Sequence, residues 1–106
     1  MTCYVDAAMI RYGRMKMSHL IADSSAELLE MADRIGVRRR WLQHAGCHTE
    51  HLDICASKRR LAIEAGAVPV SSRELGLKLV EKRRRMADLR ARLAPGRAGK
   101  GAIVGL

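Results

Sequence analysis

His51-Leu52-Asp53-Ile54-Cys55-Ala56-Ser57-Lys58-Arg59-Arg60 sets the fold class. Its first five residues alternate polar and apolar, the pattern of a half-buried strand. Ser57 then stands where a serine caps a helix start. Leu61, Ala62 and Ala65 follow on one helical face, Gly66 closes the helix, and Ala67 to Val70 reads as a second strand. The crossover over residues 56–66 is close to the shortest that a parallel βαβ unit allows. The expected fold is α/β, with a small, mainly parallel sheet, packed helices and a long basic C-terminal helix.

Upstream, residues 2–5 are β-like, Arg11 to Arg14 read as a turn, and Met15 to Ala22 alternate as a strand. Met15, Met17, His19 and Ile21 share one face of it. Ser24-Ser25-Ala26-Glu27 fits a capping box, and Leu28, Met31, Ala32 and Ile35 repeat at helical spacing up to Gly36. Arg38 to Gln43 read as a further strand; Trp41 beside the arginines either stacks on a base or, the favoured reading, anchors the core of the sheet. His44 to Glu50 are a polar loop. Downstream, Ser71-Ser72-Arg73-Glu74 is a second capping box, opening a helix whose Leu75, Leu79, Met86 and Leu89 form a stripe broken at Lys82-Arg83. That stripe permits a homodimer. Residues 1–94 are expected to be one domain and 95–106 a flexible basic tail.

Composition bounds the function. The 106 residues are 48% hydrophobic but only 3% aromatic, with no Phe, two Tyr and one Trp. The core must come from Leu, Ile, Val, Met and Ala, with Met9, Met15 and Met17 as flexible filler. A strand-binding groove with several stacking platforms is excluded by so few rings. The net charge is +9, and most of it lies late in the chain: from Arg73 onward ten Lys/Arg face three Asp/Glu. A one-signed block of this kind favours a polyanion partner through phosphate neutralisation. Cys3, Cys47 and Cys55 without a signal peptide suit reduced thiols and a cytoplasmic protein. No apolar run reaches the roughly 20 residues of a membrane span.

Three groups of residues can carry chemistry. Ser57, Lys58 and Arg59 form a candidate phosphate cradle at a helix N-terminus. Cations there oppose the helix dipole, a conflict that a bound anion resolves. His19, His51 and Asp53 form a candidate catalytic cluster for acid–base or metal-assisted work on a phosphoester, with Asp6 or Asp23 as helpers. It forms if the strands of His19 and His51 are neighbours. Arg38, Arg39, Arg40, Lys82, Arg83, Arg84 and Arg85 are the densest cationic runs and the candidate nucleic-acid contacts. His44, Cys47, His48, His51 and Cys55 are all zinc-ligand types. Along a strand at roughly 3.3 Å per residue, however, His51 and Cys55 lie about 13 Å apart and cannot share an ion.

Tyr4-Val5-Asp6, Gly13-Arg14, Ser18-His19-Leu20-Ile21-Ala22-Asp23, Glu27-Leu28, Ala32-Asp33-Arg34-Ile35-Gly36, Arg40-Trp41, His51-Leu52-Asp53-Ile54, Ser57-Lys58-Arg59 and Ala65-Gly66-Ala67-Val68 together resemble an uncharacterised family of small bacterial and phage domains. The resemblance covers about residues 4–76. It implies a small cytoplasmic α/β protein with an accessory role in a phage or mobile element, and it supplies no activity. This chain departs from that family at Leu52, where an aromatic is usual, and in a longer loop from His44 to Glu50.

The leading expectation is a phosphate- or nucleic-acid-binding accessory protein, with nucleic acid or a nucleotide as partner and no membrane. The first alternative is a small metal-dependent phosphodiesterase or nucleotide-processing enzyme using His19, His51 and Asp53. The second is an interaction protein that inhibits a host nucleic-acid enzyme. No cofactor or metal identity follows from the sequence.

Overall fold

Met15–Ala22 is the central strand because both of its edges find partners. The computed structural model describes residues 2–93, so the expected tail over 95–106 lies outside the described residues. Five strands and three helices run in the order β1 (Cys3–Val5), β2 (Ile10–Tyr12), β3 (Met15–Ala22), α1 (Ser25–Ile35), β4 (Leu52–Cys55), α2 (Ala56–Glu64), β5 (Val68–Pro69) and α3 (Ser72–Arg92). A single 3₁₀ turn, Arg39–Trp41, lies between α1 and β4.

β1 and β2 lie along one edge of β3, both antiparallel to it, with Val5 opposite Leu20 and Ile10 opposite Met17. The chain leaves that edge between them. β4 takes the other edge, antiparallel, with His19 opposite Asp53. β5 joins β1 in parallel. The α/β class holds, but the sheet is mostly antiparallel, not mainly parallel. The βαβ unit is present in orientation: β4 and β5 run the same way. The β3–β1 pair lies between them, so they never share a ladder.

Side-chain alternation sorts the two faces. Val5, Leu20, Ala22, Leu52 and Ile54 point to one side and pack with Leu28, Met31, Ala32 and Ile35 of α1 and Ala62 of α2. The odd-numbered residues of β3 and β4 point to the other side. This face carries Met17, His19, Asp53 and Cys55, and Tyr4 pairs with Ile21 there. The Lys78 ammonium of α3 stands 4.9 Å from the Tyr4 ring centre.

Local rules account for the helix ends. The Ser24 hydroxyl accepts from the Glu27 amide and donates to its carboxylate, so Glu27 answers the hydroxyl and not the cap amide. Gly36 closes α1 at φ +79°, a left-handed conformation that glycine adopts without strain. The Ser71 capping box is complete, with both reciprocal bonds formed. At α2 the expectation fails. The N-cap is Cys55, Ser57 is already inside the helix, and no side chain caps the start.

α3 buries two residues, Leu75 and Lys82, while Leu77, Val80, Leu89 and Leu93 are exposed. Leu75 packs on its own domain and is not free to form part of a dimer stripe. No helix of the described residues is long and apolar enough to cross a membrane.

Candidate metal centre

The break between β1 and β2 creates the site. After Asp6, whose amide still donates to the His19 carbonyl at 3.1 Å, the chain leaves β3 and passes through Met9 at φ +48°. The Asp6 side chain turns back onto β3. It is 2% exposed, so its carboxylate needs donors. It has three: the His19 amide at 2.8 Å, the His19 ring Nδ1 at 2.7 Å and the Ala8 amide at 3.3 Å. Arg59 Nε donates to the Asp6 carbonyl at 2.9 Å and pins the break to α2.

In the neutral ring, an acceptor-only carboxylate at Nδ1 places the proton there and leaves the lone pair of His19 on Nε2. His51 is fixed the same way. Its Nδ1 donates to the Thr49 carbonyl at 2.7 Å, so its Nε2 also carries a free lone pair. Both Nε2 atoms face one oxygen of Asp53, at 3.8 Å from His19 and 3.5 Å from His51. The two rings meet edge to face with centres 5.5 Å apart. The other Asp53 oxygen accepts from Gln43 Nε2 at 2.7 Å.

This is the one group of three metal-ligating side chains among the described residues whose ligand atoms all lie within 4.8 Å of one another. Ligands bound at about 2.0–2.2 Å in a tetrahedral site stand about 3.4 Å apart. The two distances to Asp53, 3.8 and 3.5 Å, lie near that value. Two neutral imidazoles and one carboxylate, with open positions beside them, suit a catalytic divalent ion. His44 packs on His51 at 5.5 Å but spends its Nδ1 on the Thr49 hydroxyl. Asp23 is elsewhere, holding the Thr2 amide.

A cleft of about 550 Å³ opens beside the cluster. His19, Asp53 and Gln43 form one end, and Ile10, Arg11, Tyr12, Met15, Met17 and Trp41 form the rest. Three expectations are corrected here. Residues 38–43 are not a strand: Arg39 forks onto Asp33 at the end of α1, through bonds of 3.0 and 2.7 Å, and the chain coils into the 3₁₀ turn. That guanidinium holds the Asp33 carboxyl below its ordinary range. Trp41 is therefore no core anchor. It is 57% exposed, with the Arg40 guanidinium 5.0 Å from its ring centre. Met9 and Met15 are exposed as well, so neither is core filler. Gln43 then pairs with His51 through two backbone bonds. That pairing brings its amide onto Asp53, a role that no sequence pattern signalled.

The other proposed residues are spread apart. Ser57 is exposed, and its hydroxyl lies 3.3 Å from the Cys55 thiol. That hydroxyl, and the Lys58 amide at the start of α2, draw the Cys55 thiol below its ordinary range. Burial and nearby carboxylates push the Cys3 thiol up to about 11. Arg59 is turned to Asp6. Lys58 reaches the closing turn of α1, its Nζ 3.1 Å from where a Cβ on Gly36 would sit, which is where a cation meets the helix dipole favourably. Arg38, Arg83, Arg84 and Arg85 are exposed. Lys82 is not on that surface. It is 7% exposed, donates to the Ala22 carbonyl at 3.1 Å and faces Glu50 at 3.9 Å.

A carboxamide at position 6 tests the support of His19. Asp6→Asn keeps the size but presents one acceptor oxygen in place of two. We expect metal affinity to fall by about 10- to 100-fold, the usual cost of losing a carboxylate behind a ligating histidine. Calorimetric titration of the folded variant measures it, and unchanged affinity would separate Asp6 from the site.

The profile of the family described as protein of unknown function (DUF4031) matches residues 3–83. The chain belongs to the DUF4031 family. The matched DUF4031 region contains Asp6, His19, His51 and Asp53, and it runs into α3 past the Lys82 anchor. No curated protein matches the chain, and no solved structure does.

Proposed function

We propose that this DUF4031 domain is a small divalent-metal-dependent enzyme that hydrolyses phosphoesters of nucleotides or nucleic acid. The observation that carries the reading is the convergence of the two Nε2 atoms on one oxygen of Asp53. His19, His51 and Asp53 would hold a divalent ion, which would supply an activated water and offset phosphoryl charge. His19 and His51 supply neutral ligands in fixed tautomers, and Asp53 supplies the anionic one. Gln43 orients the Asp53 carboxylate. The hydrolysis adds water across a P–O bond, giving a phosphomonoester and an alcohol from a diester.

The cationic face supports a second reading, binding without cleavage by an accessory protein. Arg83, Arg84 and Arg85 are exposed, and no carboxylate pairs with them among the described residues. They attract a phosphate backbone by counterion release. Lys82 takes no part in either reading.

One experiment separates the two. The metal-stripped chain is titrated with Mn²⁺, Zn²⁺ and Mg²⁺ by calorimetry, then mixed with bis(p-nitrophenyl) phosphate and with a labelled oligonucleotide over a range of salt. One ion per chain and product only with metal are the expected results. Oligonucleotide binding that weakens steeply with salt, with no product under any metal, would replace hydrolysis by the binding reading.

A further inference from the structure

The cleft beside the cluster is built for something flat and apolar next to something anionic. The chain has three Tyr and Trp rings and no Phe. Two of the three, Tyr12 at 71% and Trp41 at 57% exposure, stand in solvent and line this one cleft. Ile10 and Met15, both exposed, line it too. Apolar surface left this open around a polar end marks a binding site. Cations flank the rings, with Arg11 in the lining and Arg40 over the indole. The volume of about 550 Å³ falls in the range of small-molecule sites, roughly 300–1,000 Å³. A duplex presents no base face to such a ring, and two rings are too few for a long strand.

We propose that this cleft binds a single nucleobase, so that the ligand is a nucleoside phosphate whose base stacks at Trp41 and whose phosphate meets His19, His51 and Asp53. The proposal rests on the metal-centred reading for its phosphate end. Its base end stands on Trp41, Tyr12 and Arg11. The mixture of ring and guanidinium favours a nucleobase over an aliphatic ligand, because a base offers a π-face to both.

Trp41 is the sole tryptophan, so its fluorescence reports on the cleft alone. The chain is titrated with adenosine 5′-monophosphate, cytidine 5′-monophosphate, ribose 5-phosphate and a short DNA duplex, with and without the metal found by calorimetry. The expected result is quenching by both nucleotides, with affinity about 10- to 100-fold above that of ribose 5-phosphate, the usual worth of one stacked base. By calorimetry, Trp41→Ala loses that advantage and Trp41→Phe keeps part of it. Trp41 is exposed, so neither change threatens the fold. Equal affinity for nucleotide and ribose 5-phosphate, or tighter binding of the duplex, overturns the proposal even where metal binds. Absence of metal binding overturns the enzyme reading instead, and the metal-free quenching still decides the base.

Discussion

Asp53→Asn is expected to abolish metal-dependent phosphoester hydrolysis and to weaken metal binding by more than about 100-fold, beyond the loss usual for a supporting residue. The substitution removes the anionic ligand and almost no volume. The amide oxygen still accepts from Gln43, so the local fold has no reason to change. What disappears is the negative charge between two neutral imidazoles, which is the main electrostatic attraction for a divalent ion. His51→Ala is expected to give the same loss of turnover by removing a neutral ligand. Calorimetry and product analysis on the same preparations check both. Full turnover by either variant, with its fold intact by circular dichroism, would remove this cluster from the chemistry.

Lys82→Ala is expected to carry the largest cost in stability, about 3 kcal/mol, in the range for breaking a buried ion pair by removing one partner. Its ammonium is buried, donates to Ala22 and faces Glu50, which is 2% exposed. Glu50 keeps the Ser25 hydroxyl, at 2.7 and 3.0 Å, and the Gly46 amide. None of these carries a full positive charge. For a domain of this size the midpoint of thermal unfolding drops by roughly 12–24 °C. The double change Lys82→Met with Glu50→Gln is expected to recover most of it, because the charges leave together. A loss under about 1 kcal/mol for Lys82→Ala would show that the buried ammonium does not hold α3.

The same lysine has a pH signature. Burial, opposed by Glu50, lowers its folded pKa from the ordinary value of 10.5. Between the folded and unfolded values the unfolded chain binds more protons, so stability rises with pH in that window. Below the folded value the cost of the buried charge is present in full. The wild type is therefore expected to gain stability relative to Lys82→Met as pH climbs toward 10.5. A difference independent of pH would place the ammonium in water.

Much of this architecture is legible in the residues. Period-two alternation located β3 and β4, and the same alternation put His51 and Asp53 on one face. Ser24, Ser71 and Gly36 marked helix ends through chemistry confined to one turn. The sheet order was not legible. A strand–helix–strand unit fixes the relative direction of β4 and β5, but which strands fill the space between them depends on where the first twenty residues go. Trp41 was misplaced because a lone large aromatic reads as core, while the Arg39–Asp33 fork that turns it outward joins side chains of two different segments. Lys82 was misplaced for a related reason. Inside a run of four cations it reads as surface, and only the distant Glu50 and Ala22 single it out. The candidate centre was half legible: its three ligands were named, but the meeting of His19 with Asp53 follows from the β3–β4 register alone.

The two Nδ1 contacts have a further consequence. Asp6 holds one ring and the Thr49 carbonyl holds the other, and both contacts are made within the fold. Rotamer and tautomer are thus chosen by folding, and capture of an ion requires no conformational search by either imidazole. The ordering entropy of the two rings is then a cost of folding, and any ion bound there would not have to meet it again.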